Sequence, residues 1–152
     1  MHFITIAGNI GVGKSTLVTL LADKLGWHPV FEAVEENPYL ADFYGDMSRW
    51  AFQSQVFFRS RRLRQHHALL QQGQSVIQDR SVYEDAEIFA RNLQVQGALS
   101  GRDWACYYEL YQTMATLVRP PHLMVYLKAS VPTLRRRIAR RGRAYEQAIA
   151  DS

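Results

Sequence analysis

Short apolar runs of strand length alternate along this chain with stretches whose apolar residues recur at helical spacing. Residues 3–7 (Phe-Ile-Thr-Ile-Ala) form the first run, and Leu17, Leu20, Leu21 and Leu25 then recur every three or four residues until Gly26 offers a stop. Residues 28–32 predict a second strand with Glu32 at its C-terminal end. Residues 35–39 read as a loop, because Pro38 biases Asn37 away from helix. A long helix is predicted over 48–72 and closed by Gly73; in it Trp50, Phe57, Phe58, Leu63, Leu69 and Leu70 are interleaved with Gln53, Gln55, Arg59, Arg61, Arg62 and Arg64.

The alternation continues to the end of the chain. Residues 75–79 predict a third strand, again ending in an acid, Asp79. Helices follow over 83–96, closed by Gly97, and over 102–118, stopped by Pro120-Pro121. The second of these carries Trp104, Tyr107, Tyr108, Tyr111, Met114 and Leu117, an apolar stripe suited to a core or a subunit interface. Residues 122–127 scarcely alternate and predict a buried parallel strand. Ser130 is a suitable N-cap, with Pro132 in the first turn of a last helix. Strands alternating with helices, without hairpin signals, predict an α/β protein with a parallel sheet and helices on both faces.

Gly8-Asn9-Ile10-Gly11-Val12-Gly13-Lys14-Ser15 lies between the first strand and first helix and fits G-x-x-x-x-G-K-[ST] at every fixed position. A glycine-rich turn there lets backbone N–H groups and a helix N-terminus face phosphate oxygens. Lys14 can reach the β- and γ-phosphates, and the Ser15 hydroxyl can ligate Mg²⁺. The spacing therefore predicts nucleoside triphosphate binding.

Composition adds limits. The 152 residues are expected to form a single domain, and no segment approaches the ~18 apolar residues of a membrane span. The lone Cys106 rules out an internal disulfide, suits a reducing cytoplasm, and reads as helix packing. His66-His67 has no third ligand nearby and reads as a solvated pair. The net charge is +4, yet Arg135, Arg136, Arg137, Arg140, Arg141 and Arg143 lie within nine residues and exceed that excess by themselves. So local a block suits phosphate better than a nucleic-acid-binding face.

Phosphoryl transfer needs a cradle, a metal, a group that orients the nucleophile, and positive charge on the phosphate. Glu32 and Asp79, both at strand ends, can converge on the cradle, one accepting a proton and the other helping to hold Mg²⁺. Arg80 can bridge donor and acceptor phosphates. Arg137 and Arg141 share a helix face, and Gly142 gives a pivot before Arg143, as in a lid over a triphosphate. Ordinary strand-end polarity and a solvated basic helix end are the plainer alternatives.

Four motifs in order resemble those of the deoxynucleoside kinases: Gly8 through Thr16, Glu32-Ala33-Val34 with alanine in place of the family's proline, Asp79-Arg80-Ser81, and Arg137 through Arg143. The resemblance implies a P-loop three-layer α/β/α fold with four parallel strands here. Family members continue with a further helix and a fifth strand, so the chain, ending at Ser152, reads as truncated after the lid segment. It also implies transfer of the ATP γ-phosphate to the 5′-hydroxyl of a deoxyribonucleoside, with a purine favoured, by a magnesium-dependent cytoplasmic salvage enzyme that is a homodimer. By the resemblance Glu32 is the base, Arg80 holds the 5′ region, Asp79 lies near Mg²⁺, and Arg137, Arg141 and Arg143 clamp the donor phosphates. Tyr44 and Glu146 match the pair that binds the 3′-hydroxyl; Gln55, Arg62 and Asp85 match the trio that reads the base. No nucleic-acid or membrane partner is expected. A nucleoside monophosphate kinase and a non-catalytic nucleotide-binding subunit are the alternatives.

Overall fold

All four apolar runs become strands of one sheet: β1 (Phe3–Gly8), β2 (His28–Val30), β3 (Val76–Asp79) and β4 (Leu123–Leu127). The computed structural model describes residues 1–32 and 37–143. Strand order is β2-β3-β1-β4, and every pairing is parallel. Parallel neighbours need long crossovers, and the helical stretches of the sequence supply them. They form α1 (Lys14–Leu25), α2 (Leu40–Gly45), α3 (Met47–Gln72), α4 (Val82–Glu84), a π-helical segment (Asp85–Ala90), α5 (Arg91–Val95), α6 (Gly101–Ala115) and α7 (Val131–Arg141).

The chain divides into two compact units. One contains the sheet with α1 and α7. Its core is built from Ile6, Ile77 and Val18, all fully buried, with Ile4, Leu17, Leu21, Val125 and Leu127 packed around them. Of the leucines whose spacing predicted α1, Leu17 and Leu21 pack on this core, while Leu20 and Leu25 are exposed and Val18 and Ala22 are the apolar residues that the helix buries. β2 ends at Val30, two residues before the predicted end, so Glu32 lies just beyond the strand.

β4 departs from its predicted burial. It is an edge strand among the described residues, and Leu123, Met124 and Tyr126 are exposed. Its burial alternates only over the second half: Val125 and Leu127 join the core while Tyr126 between them is exposed, and Leu123 and Met124 are both exposed. Apolar side chains on both faces concealed that period in the sequence.

The other unit is helical. Tyr107 and Tyr111 of α6 are buried with Ala86 and Ala90, and Phe52, Val56, Tyr83, Trp104 and Tyr108 pack on them. The aromatic stripe of α6 is therefore core. Cys106 lies on the opposite, exposed side of α6, which corrects the packing role expected for it. The predicted helix over 83–96 contains the π-helical segment, a local widening that periodicity alone does not reveal.

His66 also corrects the sequence expectation. It is only 4% exposed, on a face of α3 that carries Gln55, Arg59 and Arg62, whereas His67 is exposed and meets Gln71 at 3.1 Å. Burial holds the His66 pKa below its ordinary 6.5, against an opposing hydrogen bond that the ring donates to the Arg119 backbone. The unfolded chain takes up a proton near pH 6.5 while the fold resists it. Stability present above that pH is therefore lost as pH falls through the lower, folded value. Thermal unfolding of the protein and of His66→Gln between pH 7 and pH 5 checks this, with the variant expected to lose less stability across the range.

Candidate active site

The phosphate loop begins where β1 runs out. Gly13 adopts a left-handed conformation (φ 106°) and caps α1 without a side chain, so the helix N-terminus carries no competing oxygen. Lys14 is buried, and its Nζ donates to the carbonyls of Gly8 and Asn9, both at 2.9 Å, closing the loop on itself. A Cβ on Gly8 (φ 144°) would stand 2.6 Å from the Leu127 carbonyl oxygen of β4. The first glycine of the motif thus answers to a neighbouring strand as well as to an anion. Gly11 faces α7, where a Cβ would meet the Ile138 side chain at 3.0 Å.

Asp79, Arg80 and Ser81 each take a different structural part. Asp79 ends β3 and accepts a hydrogen bond of 2.5 Å from the Ser15 hydroxyl. Arg80 is the one non-glycine residue with positive φ (67°) among the described residues, and its N–H donates to the Ile6 carbonyl at 2.9 Å. Left-handed backbone at a bulky residue stores strain that surrounding contacts must hold, and such strain gathers at functional sites. Ser81 then caps α4, accepting from the Glu84 N–H at 3.2 Å. Ser15 and Asp79 present hard oxygen donors side by side, a set suited to Mg²⁺.

Arg137 of the arginine block meets the loop, donating from Nη1 to the Val12 carbonyl at 2.8 Å. Arg141 closes α7 on its exposed side, and Arg143 follows Gly142.

In the helical unit the acids and arginines form a second cluster. Arg62 is 3% exposed; its Nε donates to Asp85 at 3.0 Å and its Nη2 to Glu32 at 3.4 Å. Burial opposes the charge on Arg62, but Asp85, then Glu32, outweigh it and keep the guanidinium firmly protonated. Asp85 opens the π-helical segment and is 2% exposed. Gln55 is buried on the same face of α3, seven residues before Arg62. Tyr44 lies in α2, half-buried with its ring edge-on to Phe43. Glu146 lies outside the described residues.

Two buried charged residues escaped the sequence reading. Arg59 is 1% exposed and Glu84 3%. The signal for Arg59 lay in the spacing of Gln55, Arg59, Arg62 and His66, polar residues at four-, three- and four-residue steps down one helix face. A solvated face would show the same spacing, so only burial separates the two.

The loop geometry makes a contrast between two glycines testable. Gly8→Ala is expected to cost about 3–5 kcal/mol, because its contact is backbone and its φ disfavours an L side chain. Gly26→Ala, at φ 67° with nothing within 4 Å, is expected to cost about 1–2 kcal/mol and to leave nucleotide binding intact. Denaturant unfolding of both, with a nucleotide-binding measurement, checks the ordering.

Comparison with known proteins agrees with this geometry. The deoxynucleoside kinase family model matches residues 4–152. The deoxyadenosine/deoxycytidine kinase of Bacillus subtilis is 39% identical over 145 residues, spanning 94% of this chain and 67% of that protein. The deoxyguanosine kinase of the same organism is 39% identical over 154 residues, spanning 99% and 72%. A solved structure of deoxyadenosine kinase from M. mycoides with dCMP and a flexible dCDP bound superposes with a TM-score of 0.87 at 30% identity, over 97% of this chain and 75% of that one. The same enzyme with dATP bound gives 0.85 at 31% identity, over 99% and 77%. Its parallel sheet and flanking helices are those of these kinases, and the chain belongs to the deoxynucleoside kinase family.

Proposed function

We propose that this kinase moves the γ-phosphate of ATP to the 5′-hydroxyl of a deoxyribonucleoside, with a purine base preferred. The observation that carries it is the Arg62 bridge: one buried guanidinium holds both Glu32 and Asp85. Glu32 is then a fixed carboxylate able to take a proton from a hydroxyl, while Arg62 and Asp85 offer a paired donor and acceptor to a base. The relative named for deoxyguanosine supports the purine preference, and the one named for both deoxyadenosine and deoxycytidine supports it in part.

The remaining roles are those that the family resemblance implies, and the chemistry of the side chains is compatible with them. The N–H groups of residues 8–16 and Lys14 bind the donor phosphates, joined by Arg137, Arg141 and Arg143. Arg80 holds the 5′ region and the incoming phosphoryl group. Tyr44 and Glu146 bind the 3′-hydroxyl, and Gln55 adds amide hydrogen bonds to the base edge. Ser15 and Asp79 hold Mg²⁺, which supplies charge neutralisation at the phosphates when bound. The whole acts as one kinase domain in nucleotide salvage, in the cytoplasm and as a homodimer. Among the described residues no helix is long and apolar enough to cross a membrane.

Four deoxynucleosides and their monophosphates, offered with ATP to the protein and to Glu32→Gln, test the assignment. Deoxynucleosides are expected to be phosphorylated and monophosphates refused. The variant is expected to keep ATP binding while kcat falls about 10²–10⁴-fold. Unchanged turnover in Glu32→Gln removes the base assignment; turnover of monophosphates redirects the acceptor to a phosphate. Chelation by EDTA is expected to abolish transfer, with activity restored by added Mg²⁺.

A further inference from the structure

Arg59 is among the most deeply buried side chains in the protein, and neither phosphate binding nor proton transfer uses it. Its guanidinium lies over the rings of Tyr107 (4.7 Å to the centroid) and Tyr111 (4.6 Å). Nη2 donates to the Tyr107 hydroxyl at 2.7 Å and, more weakly, to the Val82 carbonyl at 3.4 Å. Among the described residues its Nε–H has no hydrogen-bond partner and no carboxylate pairs with it. Ring faces and a phenol answer a buried cation only in part. An apolar side chain of similar size would fill that place at lower cost. A local rule broken without local gain marks a position kept for something else.

What Arg59 holds suggests the purpose. Arg59 and Arg62 are three residues apart on α3, and their targets, the Val82 carbonyl and the Asp85 carboxylate, are three apart on the facing segment. The two arginines grip that segment at matched points on either side of the turn into the π helix. A π-helical turn is a local departure from the regular helix of the kind found at functional sites, and Arg59 gives it a second hold three residues from the one that Arg62 makes. Tyr107, held by Arg59, feels the field of Asp85 as well, and its phenol is pushed up to about 12 by burial, against the pull of Arg59.

We propose that Arg59 is a positioning residue for base selection: through the Val82 carbonyl and Tyr107 it sets where the Asp85 carboxylate stands, without touching the nucleoside itself. The base-selection half of this rests on the role given to Asp85 above; the mechanical half does not.

The test therefore has two readouts, on Arg59→Met, Arg59→Lys and Tyr107→Phe. Hydrogen exchange reports the placement. Amides of the 85–90 segment are expected to exchange about tenfold or more faster in Arg59→Met, with no fall in melting temperature, since methionine fills the slot and removes a buried charge. Steady-state kinetics with the four deoxynucleosides report selection. The ratio of kcat/KM between the best and worst base is expected to shrink about 10–100-fold, mainly through KM. Arg59→Lys keeps the cation and one donor and is expected to restore part of both signals. Tyr107→Phe keeps the ring and should move both the same way by less; it carries the test if the methionine variant does not fold. Wild-type exchange at 85–90 together with wild-type base ratios overturns the proposal. So does an equal loss for all four bases that tracks a lowered melting temperature, which would make Arg59 merely structural. Faster exchange in a protein that phosphorylates no deoxynucleoside would uphold the grip on Asp85 and overturn the proposed function instead.

Discussion

A guanidinium carried out of water must be answered by carboxylates, and Arg62 is answered twice. Removing one partner from such a group typically costs about 3–5 kcal/mol, because the remaining charge stays buried and uncompensated. That requirement ties three parts of the helical unit together: the middle of α3, the start of the π-helical segment at Asp85, and Glu32 just after β2. Apolar packing already brings α3 to the π-helical segment, since Phe52 and Val56 pack on the cluster of Ala86, Ala90, Tyr107 and Tyr111. The polar face of α3 adds to that packing a fixed place for Glu32 and Asp85, at a cost that the aromatic core around Tyr107 and Tyr111 helps to offset.

The sheet unit obeys a different constraint. Its phosphate loop is fixed by backbone geometry: a left-handed Gly13, a lysine folded onto two loop carbonyls, and Arg80 held at positive φ by a hydrogen bond to β1. Little side-chain packing is involved, which suits a site that must admit an anion. The Ser15–Asp79 contact joins the first turn of α1 to the end of β3, so two hard oxygen donors stand side by side there.

Most of this was legible beforehand, for a physical reason. The strand–loop–helix signature combines a short-range pattern with backbone demands that few residues meet, and Gly8, Gly13, Lys14 and Ser15 fall where it puts them. Helix limits were nearly as clear, since Gly73 and Gly142 mark C-termini by left-handed backbone. Burial was the weaker part. His66 and Arg59 look like members of a solvated face, Cys106 like a core residue, and β4 like a buried strand, because residue type at helical or strand spacing does not say which side faces a neighbour. The π-helical turn was invisible for a related reason: its extra residue per turn leaves no mark on a ten-residue window.

The near-contact of Gly8 with the Leu127 carbonyl has a consequence for the meaning of the motif itself. A pattern recognised by its affinity for phosphate owes its opening residue here in part to the lateral crowding of two strands, beside the positive φ of that residue. Grafting those eight residues onto a scaffold with a more distant neighbouring strand would remove the crowding at the first position and leave its backbone demand, as at the sixth. The signature is thus a composite of two independent pressures, one from the nucleotide and one from the architecture that carries it.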